Sequence, residues 1–366
     1  MRPTVAAVDL GAIARNYRLL RDRVGEGRSV IPVLKADAYG HGAGPVARRL
    51  ETEGARRFAV AVAEEGVALR RAGVAGEILL LNFSDPADAG KLRAYGLSPA
   101  LYDLEQARAF ARAAAGFAVP LPVQIKLDTG MGRIGFRPAE VGELAGVLRD
   151  ARGLRVAGTF SNLAAAEDPV SPRTAEQVER LRAGTDALAA AGISPGLVHL
   201  ANSAGALLHP PSWLDAVRPG LALYGVPPSG NSDQLEPAMS VETRVMSVRE
   251  VPAGVALGYG GRFVTSHPSE IAVLPIGYHD GFRRSFSGRV HVLLRGNEAP
   301  VVGAVSMDLT LVDATGLGAR NGEPVICLGS DGARRVTAWD LARAADTLPY
   351  EILCGIGPRV PRVYRP

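Results

Sequence analysis

Between residues 30 and 225 short apolar runs alternate with longer amphipathic stretches, and this rhythm limits the fold more than any other feature of the chain. The apolar runs cover 30–34, 58–63, 78–81, 97–101, 123–127, 156–160, 197–200 and 221–224. Each has the length and near-unbroken hydrophobicity of a strand covered on both faces. Segments of helical period, rich in Ala, Arg and Glu, lie between most of them, at 64–71, 104–115, 139–149 and 174–191. Such strands interleaved with helices predict an α/β fold built on a parallel (β/α)8 TIM-like barrel. A doubly wound open sheet is the main competitor.

After Pro227-Pro228-Ser229-Gly230-Asn231-Ser232 the helical period nearly stops. Alternating apolar and polar runs take its place at 241–251, 270–274, 289–294, 310–312 and 325–328, the pattern of strands. The chain is therefore expected to divide into a barrel over 1–232 and a mainly β domain over 233–366, with one helix near 338–345. Residues 1–10 are open to pairing with the second domain.

With 366 residues, 47% of them apolar, the chain can bury a core of two-domain size. A net charge of +4, with basic and acidic residues alternating along the helical stretches, describes a solvated face and not a nucleic-acid track. Residues 1–5 run into patterned sequence without an apolar signal core, and no stretch has the length and apolarity of a membrane span. A cytoplasmic protein without a membrane partner is expected. Cys327 and Cys354 both sit in apolar, strand-like runs and are expected as buried free thiols. The 6 histidines show no ligand spacing, so no metal is expected.

Lysine is almost absent: of 41 basic residues only Lys35, Lys91 and Lys126 are lysine. A background that uses arginine wherever charge suffices leaves lysine where an amine must be able to lose its proton. Lys35 ends the run Val30-Ile31-Pro32-Val33-Leu34, which makes it a candidate Schiff-base nucleophile. Functional groups of such barrels gather at the C-terminal ends of strands, where Lys35, the segment 126–133, Asn162, the segment 199–203 and Arg218 all fall. Taken singly, each has an ordinary explanation: a solvated lysine, a helix cap at Ser203, a surface arginine before Pro219-Gly220. Gathered on one face, they supply an amine, guanidiniums, amides and hydroxyls.

Val33-Leu34-Lys35-Ala36-Asp37-Ala38-Tyr39-Gly40-His41-Gly42 resembles the pyridoxal-phosphate attachment motif of the alanine racemases, which are fold-type III pyridoxal-phosphate enzymes. Lys126-Leu127-Asp128-Thr129-Gly130-Met131-Gly132-Arg133, His199-Leu200-Ala201-Asn202-Ser203 and Arg218-Pro219-Gly220-Leu221 follow in the family's order and spacing. So do Gly258-Tyr259-Gly260, Gly277-Tyr278-His279-Asp280-Gly281, Ser306-Met307-Asp308 and Tyr350-Glu351-Ile352-Leu353. The resemblance implies pyridoxal 5'-phosphate joined to Lys35, with Tyr39, Ser203, Tyr350 and the backbone at Gly220 and Leu221 on its phosphate. His199 and Asn162 are implied around it, and Arg218 at its pyridine nitrogen. A guanidinium cannot hand that nitrogen a full proton, so it weakens the ring as an electron sink, which suits racemisation. Lys35 and Tyr259 are implied as bases on opposite faces of the substrate, Tyr259 coming from the partner in a homodimer with shared active sites. A phenol with a pKa of about 10 is a poor base at neutral pH, so the resemblance also asks for positive charge near Tyr259, with Arg218 its source. Arg133 and the backbone at Met307 are implied to hold the carboxylate of alanine, Tyr278 to line an inner gate, and Lys126 to stand where a carbamate can position Arg133, with a free lysine paired with Asp128 as the alternative.

Two positions depart from the family pattern. Asn162 stands where many members have a histidine linking the catalytic tyrosine to the arginine, and an amide cannot take up a proton. Ser306 stands where cysteine is frequent. The implied activity is interconversion of L- and D-alanine for peptidoglycan precursors. A broader-specificity racemase of the same fold is the alternative. A decarboxylase would place an acid where Arg218 stands, and a non-catalytic pyridoxal-phosphate carrier would lack the β domain that holds Tyr259.

Overall fold

The computed structural model describes residues 2–228, 230 and 234–366, so the expected boundary at 232/233 lies outside the described residues. The chain divides into two compact units: Ile13–Ala38 with Ala43–Leu235, and Met1–Ala12 with Tyr39–Gly42 and Glu236–Pro366.

In the first unit the apolar runs form parallel strands at Ser29–Val30, Arg57–Val60, Glu77–Leu80, Leu97–Ser98 continued by Ala100–Leu101, Leu121–Lys126, Leu154–Phe160, Leu197–His199 and Ala216–Val217. Val217 pairs with Val30 and Val33 bridges to Ala59, so the strands close into a (β/α)8 barrel. Pro99 has no N–H and splits the fourth strand, while its carbonyl still accepts from Gln124 N at 2.8 Å. Ile31, Phe58, Leu80, Leu101, Ile125 and Phe160 are fully inside, and each such side chain contributes about 2 kcal/mol over an exposed one. One barrel helix shows a side-chain cap at its start. Asp103 Oδ1 accepts from Gln106 N at 2.7 Å at the start of Leu104–Ala113, which buries Ala107 and Phe110.

The run 221–224, expected as the eighth strand, is instead the short 3-10 turn Leu221–Tyr224. Pro219 and Gly220 end the ladder early. Pro219 O still accepts from Val33 N at 2.9 Å, and Gly220 then turns the chain at φ −113°, ψ −87°. All residues of that turn are buried, and continuous hydrophobicity does not distinguish a buried strand from a buried turn.

The second unit is mainly β. Its large sheet runs in the order Ser247–Val251, Ser269–Leu274, Thr310–Asp313, Asn297–Val302, His291–Leu294, Pro324–Asp331, Met239–Arg244, Val5–Asp9, Arg362–Arg365. Val5–Asp9 is antiparallel to Met239–Arg244 and parallel to Arg362–Arg365, with Ala6 opposite both Val241 and Arg362. The expected run 241–251 is two strands, Met239–Arg244 and Ser247–Val251, which pair with different neighbours. The alternation does not pick out Asn297–Val302, Arg362–Arg365 or the helix Pro349–Cys354. Cys327 is buried, and burial pushes its thiol up to about 12. Cys354 corrects the expectation for the thiols: it ends a helix that buries Ile352 and Leu353, and it is itself exposed. Among the described residues no helix is long and apolar enough to cross a membrane.

Candidate active site

The barrel unit presents Lys35 at the head of an uncommon piece of backbone. Ala36, Asp37, Ala38 and Tyr39 follow it with φ of +53°, +53°, +54° and +53°, one turn of left-handed helix built without glycine. L residues lose about 1–2 kcal/mol each in that region, so the turn persists only where its surroundings fix it. Ala38 N donates to Leu34 O at 2.8 Å, Asp37 Oδ1 accepts from Ala43 N at 2.7 Å, and Glu65 Oε1 accepts from Ala36 N at 2.6 Å. Lys35 is half-buried.

Arg218 is the buried centre of the site, 3% exposed. Its Nη1 donates to His199 Nδ1 at 2.7 Å, and its Nη2 to Ser161 O at 2.6 Å, with Leu200 O at 3.3 Å and Asn162 Oδ1 at 3.5 Å. Arginine only donates, so His199 Nδ1 accepts and its proton sits on Nε2, directed at Gln124 Oε1 3.4 Å away. Burial, then the charge of Arg218, holds the His199 pKa well below the ordinary imidazole value, and the ring is neutral. Gln124 Nε2 donates onward to Ser98 Oγ at 3.2 Å. Burial pulls Arg218 down to about 9, which leaves it charged near neutrality. Phe160 stacks on His199 at 5.2 Å and 9°, and the guanidinium lies 5.2 Å from the same ring.

Lys126 ends the strand Leu121–Lys126 and is also 3% exposed. Its Nζ lies 5.3 Å from the Phe160 ring and donates to Leu81 O at 3.5 Å. Burial first, then the positive charges of Arg133, Arg218 and Lys35, lowers its pKa to about 8, with Asp128 opposing. Asp128 is engaged with the loop: its carboxylate accepts from Gly130, Met131 and Gly132 N at 2.9–3.1 Å and shapes the segment that carries the exposed Arg133. Gly130-Met131-Gly132-Arg133-Ile134-Gly135 has the spacing of a dinucleotide-binding turn, yet it opens no helix, and the chain returns to bridge Phe136 with Leu127. Gln177 ties this loop to the next one. Its Nε2 donates to Thr129 Oγ1 at 3.0 Å and Asn162 O at 2.8 Å, and its Oε1 accepts from Ala164 N at 2.8 Å.

Ser203 Oγ accepts from Gly220 N at 3.0 Å and Ala222 N at 3.1 Å. The cap of the helix Ser203–Leu208 is Asn202, whose Oδ1 accepts from Gly205 N at 2.9 Å. Asn202 does the capping, so the Ser203 oxygen accepts from those two N–H groups and its own O–H is the donor it can offer an anion.

Tyr39, Tyr259, Tyr278, Met307 and Tyr350 belong to the other unit. There Tyr39 and Tyr350 meet with ring centroids 5.8 Å apart. Gly40 and Gly42, at φ +82° and +91°, let the chain lie close: a Cβ on Gly40 would stand 2.5 Å from Leu353 O, and one on Gly42 would overlap Tyr364 Oη. Tyr278 N donates to Ser306 O at 2.9 Å and His279 N to Met307 O at 3.2 Å, which sets Tyr278 beside Met307. The fully buried Asp280 anchors this corner, with Arg2 on both oxygens at 2.5 Å, Arg359 Nε at 2.9 Å and Gly277 N at 2.9 Å. Burial alone would raise the Asp280 pKa, but those hydrogen bonds outweigh it and hold the carboxyl below its ordinary value. Tyr259 opens the turn Tyr259–Gly261 and is 70% exposed.

Sequence reasoning misses Gln124, Ser98, Phe160, Ser161 and Glu65. The available signal was a polar residue inside an apolar run, as at Gln124 in 123–127 and Ser98 in 97–101. In the barrel unit, Lys35, Lys126, Arg133 and Arg218 share one neighbourhood whose electrostatic partner is Asp128. A cluster of cations with the Ser203 hydroxyl at one end and a neutral His199 beside the charged Arg218 at its centre fits an anionic aromatic ligand. Such a ligand would carry an acceptor nitrogen and a carbonyl open to an amine. Among the described residues no group of three or more His, Cys, Asp or Glu could hold a metal.

Residues 8–228 match the family model of the alanine racemase N-terminal domain, and residues 238–364 that of the alanine racemase C-terminal domain. The chain is 44% identical to an alanine racemase of Symbiobacterium thermophilum, over 100% of its own length and 97% of that protein's. Its structure is similar to alanine racemase from D-cycloserine producing Streptomyces lavendulae, with a TM-score of 0.93, 35% identity and coverage of 100% and 98% of the two chains. It is also similar to alanine racemase from Bacillus anthracis with bound L-Ala-P, with a TM-score of 0.93, 31% identity and coverage of 100% and 96%.

Proposed function

The chain belongs to the alanine racemase family, and on that premise we propose that it interconverts L-alanine and D-alanine with pyridoxal 5'-phosphate as cofactor. We place the activity in the cytoplasm, in the supply of D-alanine for peptidoglycan. The observation that carries the cofactor reading is the buried Arg218, which donates to a neutral His199 in the charged neighbourhood of Lys35 and Lys126. Lys35 would hold the aldehyde carbon. Ser203, the backbone at Gly220 and Leu221, Tyr39 and Tyr350 would hold the phosphate, and Arg218 would face the ring nitrogen, supported by His199 and Asn162. When bound, that cofactor supplies an electron sink conjugated with the amino-acid nitrogen, which acidifies the Cα–H bond.

The chain's own groups decide the outcome. Arg218 keeps its proton, so a ring nitrogen accepting from it would stay unprotonated, which would favour return of a proton to Cα. Once the substrate amine has replaced it at the aldehyde carbon, Lys35 Nζ would take or give that proton on one face, and Tyr259 Oη would do so on the other. Arg133 and the Met307 backbone hold the carboxylate, and Tyr278 narrows the approach. Lys126, with a pKa of about 8, is close to the neutral amine that combines with carbon dioxide. A carbamate there would add negative charge, beside that of Asp128, to this cluster of cations and would hold Arg133. The exposure of Tyr259 and Met307, at 70% and 50%, supports a homodimer in which each copy lends these residues to the other's site.

Polarimetry with alanine, serine, lysine and arginine tests the reading, with alanine expected to turn over fastest. Comparable rates with lysine or arginine would favour the broader-specificity racemase. Borohydride is expected to fix the cofactor to Lys35, and a label on Lys91 or Lys126 would overturn the assignment.

A further inference from the structure

The left-handed turn after Lys35 has a partner that the chemistry above does not use. We propose that Glu65 is a positioning residue for Lys35, its carboxylate bridging the strained turn to the start of a barrel helix and so fixing where the amine stands. The proposal rests on the reading of Lys35 as the cofactor-bearing amine.

Glu65 is half-buried in the first turn of the helix Ala63–Arg71, and its two oxygens serve different partners. Oε2 accepts from Ala61 N at 2.7 Å and Val62 N at 3.3 Å, the donors that lead into the helix. Oε1 accepts from Ala36 N at 2.6 Å, the peptide N–H directly after Lys35. Short hydrogen bonds to a carboxylate are the strong kind, and a helix N-terminus favours negative charge at this position. Ala36, Asp37 and Ala38 all have positive φ, so they relax towards the right-handed region once the hold on Ala36 N is lost. Relaxation at Ala36 rotates the peptide that it shares with Lys35 and moves the amine. The nearby acids do not take over: Asp37 caps Ala43 N, and Glu64 points to solvent.

Two variants separate the bridge from the helix start. Glu65→Gln keeps the size but turns one oxygen into an NH2 group that faces a backbone N–H. Glu65→Asp keeps the charge, still reaches the opening of its own helix, and falls a methylene short of Ala36. Peptide-resolved hydrogen exchange of the holoenzyme over residues 34–42 reads the turn, and decay of the visible cofactor band during dialysis reads the amine. In both variants, exchange over 34–42 is expected to rise by about tenfold, with faster loss of the band. Peptides over 63–71 in Glu65→Asp stay as in the wild type. Glu64→Gln is expected to change neither readout. Wild-type exchange over 34–42 in both variants overturns the proposal, as does a rise spread evenly over the barrel or faster exchange with unchanged cofactor retention. Borohydride labelling away from Lys35 would instead overturn the underlying reading, and the exchange data, which need no cofactor chemistry, would still show whether Glu65 holds the turn.

Discussion

Arg218 and Lys126 are cations of equal exposure, yet their surroundings treat them differently. Arg218 spreads its donors over His199, Ser161, Leu200 and Asn162, whereas Lys126 has the long contact to Leu81 O and a ring face. The Lys126 pKa falls from 10.5 to about 8, so between those values the unfolded chain holds a proton that the folded one has lost. Stability contributed at this site therefore rises with pH across that window, by roughly 3 kcal/mol at most. In decarbonated buffer, denaturant titrations are expected to show this rise in the wild type and to lose it in Lys126→Met; parallel curves would count against a free amine at position 126. Asn162 sets the second residue-scale expectation. Asn162→His places a titrating ring beside Arg218 Nη2, so kcat/KM should gain an inflection in the range where imidazoles titrate, falling as pH drops through it. An unchanged profile would remove the idea that this position tunes the site. Scarcity makes Lys35 and Lys126 legible in the sequence. The His199–Gln124–Ser98 relay was not, because it joins three strands and no spacing in one segment encodes it.

At the scale of elements, the two loops that carry Arg133 and Asn162 are linked by Gln177 of the helix Arg173–Ala190, and Arg180 of the same helix adds a bond to Thr129 O at 2.9 Å. Gln177→Leu leaves Ala164 N without its acceptor, a loss of about 1–3 kcal/mol, and cuts the link between Thr129 Oγ1 and Asn162 O, while Arg180 Nη1 still holds Thr129 O at 2.9 Å. Steady-state kinetics with alanine should then show KM rising by about threefold or more while kcat moves less; a fall in kcat alone would mean that Arg133 does not depend on this tether. Strand and helix alternation was readable because parallel strands must be apolar on both faces. The run 221–224 was not, since the elements that end the ladder, Pro219 and Gly220, act through geometry that hydrophobicity does not record. The left-handed turn after Lys35 was equally hidden, because Ala36 and Ala38 carry no preference for positive φ.

At the scale of the whole molecule, shared sites make a quantitative demand. Lys35→Ala and Tyr259→Phe should each be nearly inactive alone. Unfolded and refolded together, they should recover about a quarter of wild-type activity, since half the dimers are mixed and each mixed dimer has one intact site. No recovery would place both bases on one chain. The change of period after Pro228 announces a second kind of architecture, whereas the return of Val5–Asp9 to the β unit needs the pairings of Ala6 with Val241 and Arg362. Those pairings also bear on how the protein is made. Val5–Asp9 leaves the ribosome early and waits for Met239–Arg244 and Arg362–Arg365, while the barrel strands from Ser29–Val30 to Ala216–Val217 already have their neighbours. Throughout that wait its amide edge is open to any passing polypeptide, so slow translation of the second half of the message lengthens the exposure and raises the share of newborn chains lost to aggregates.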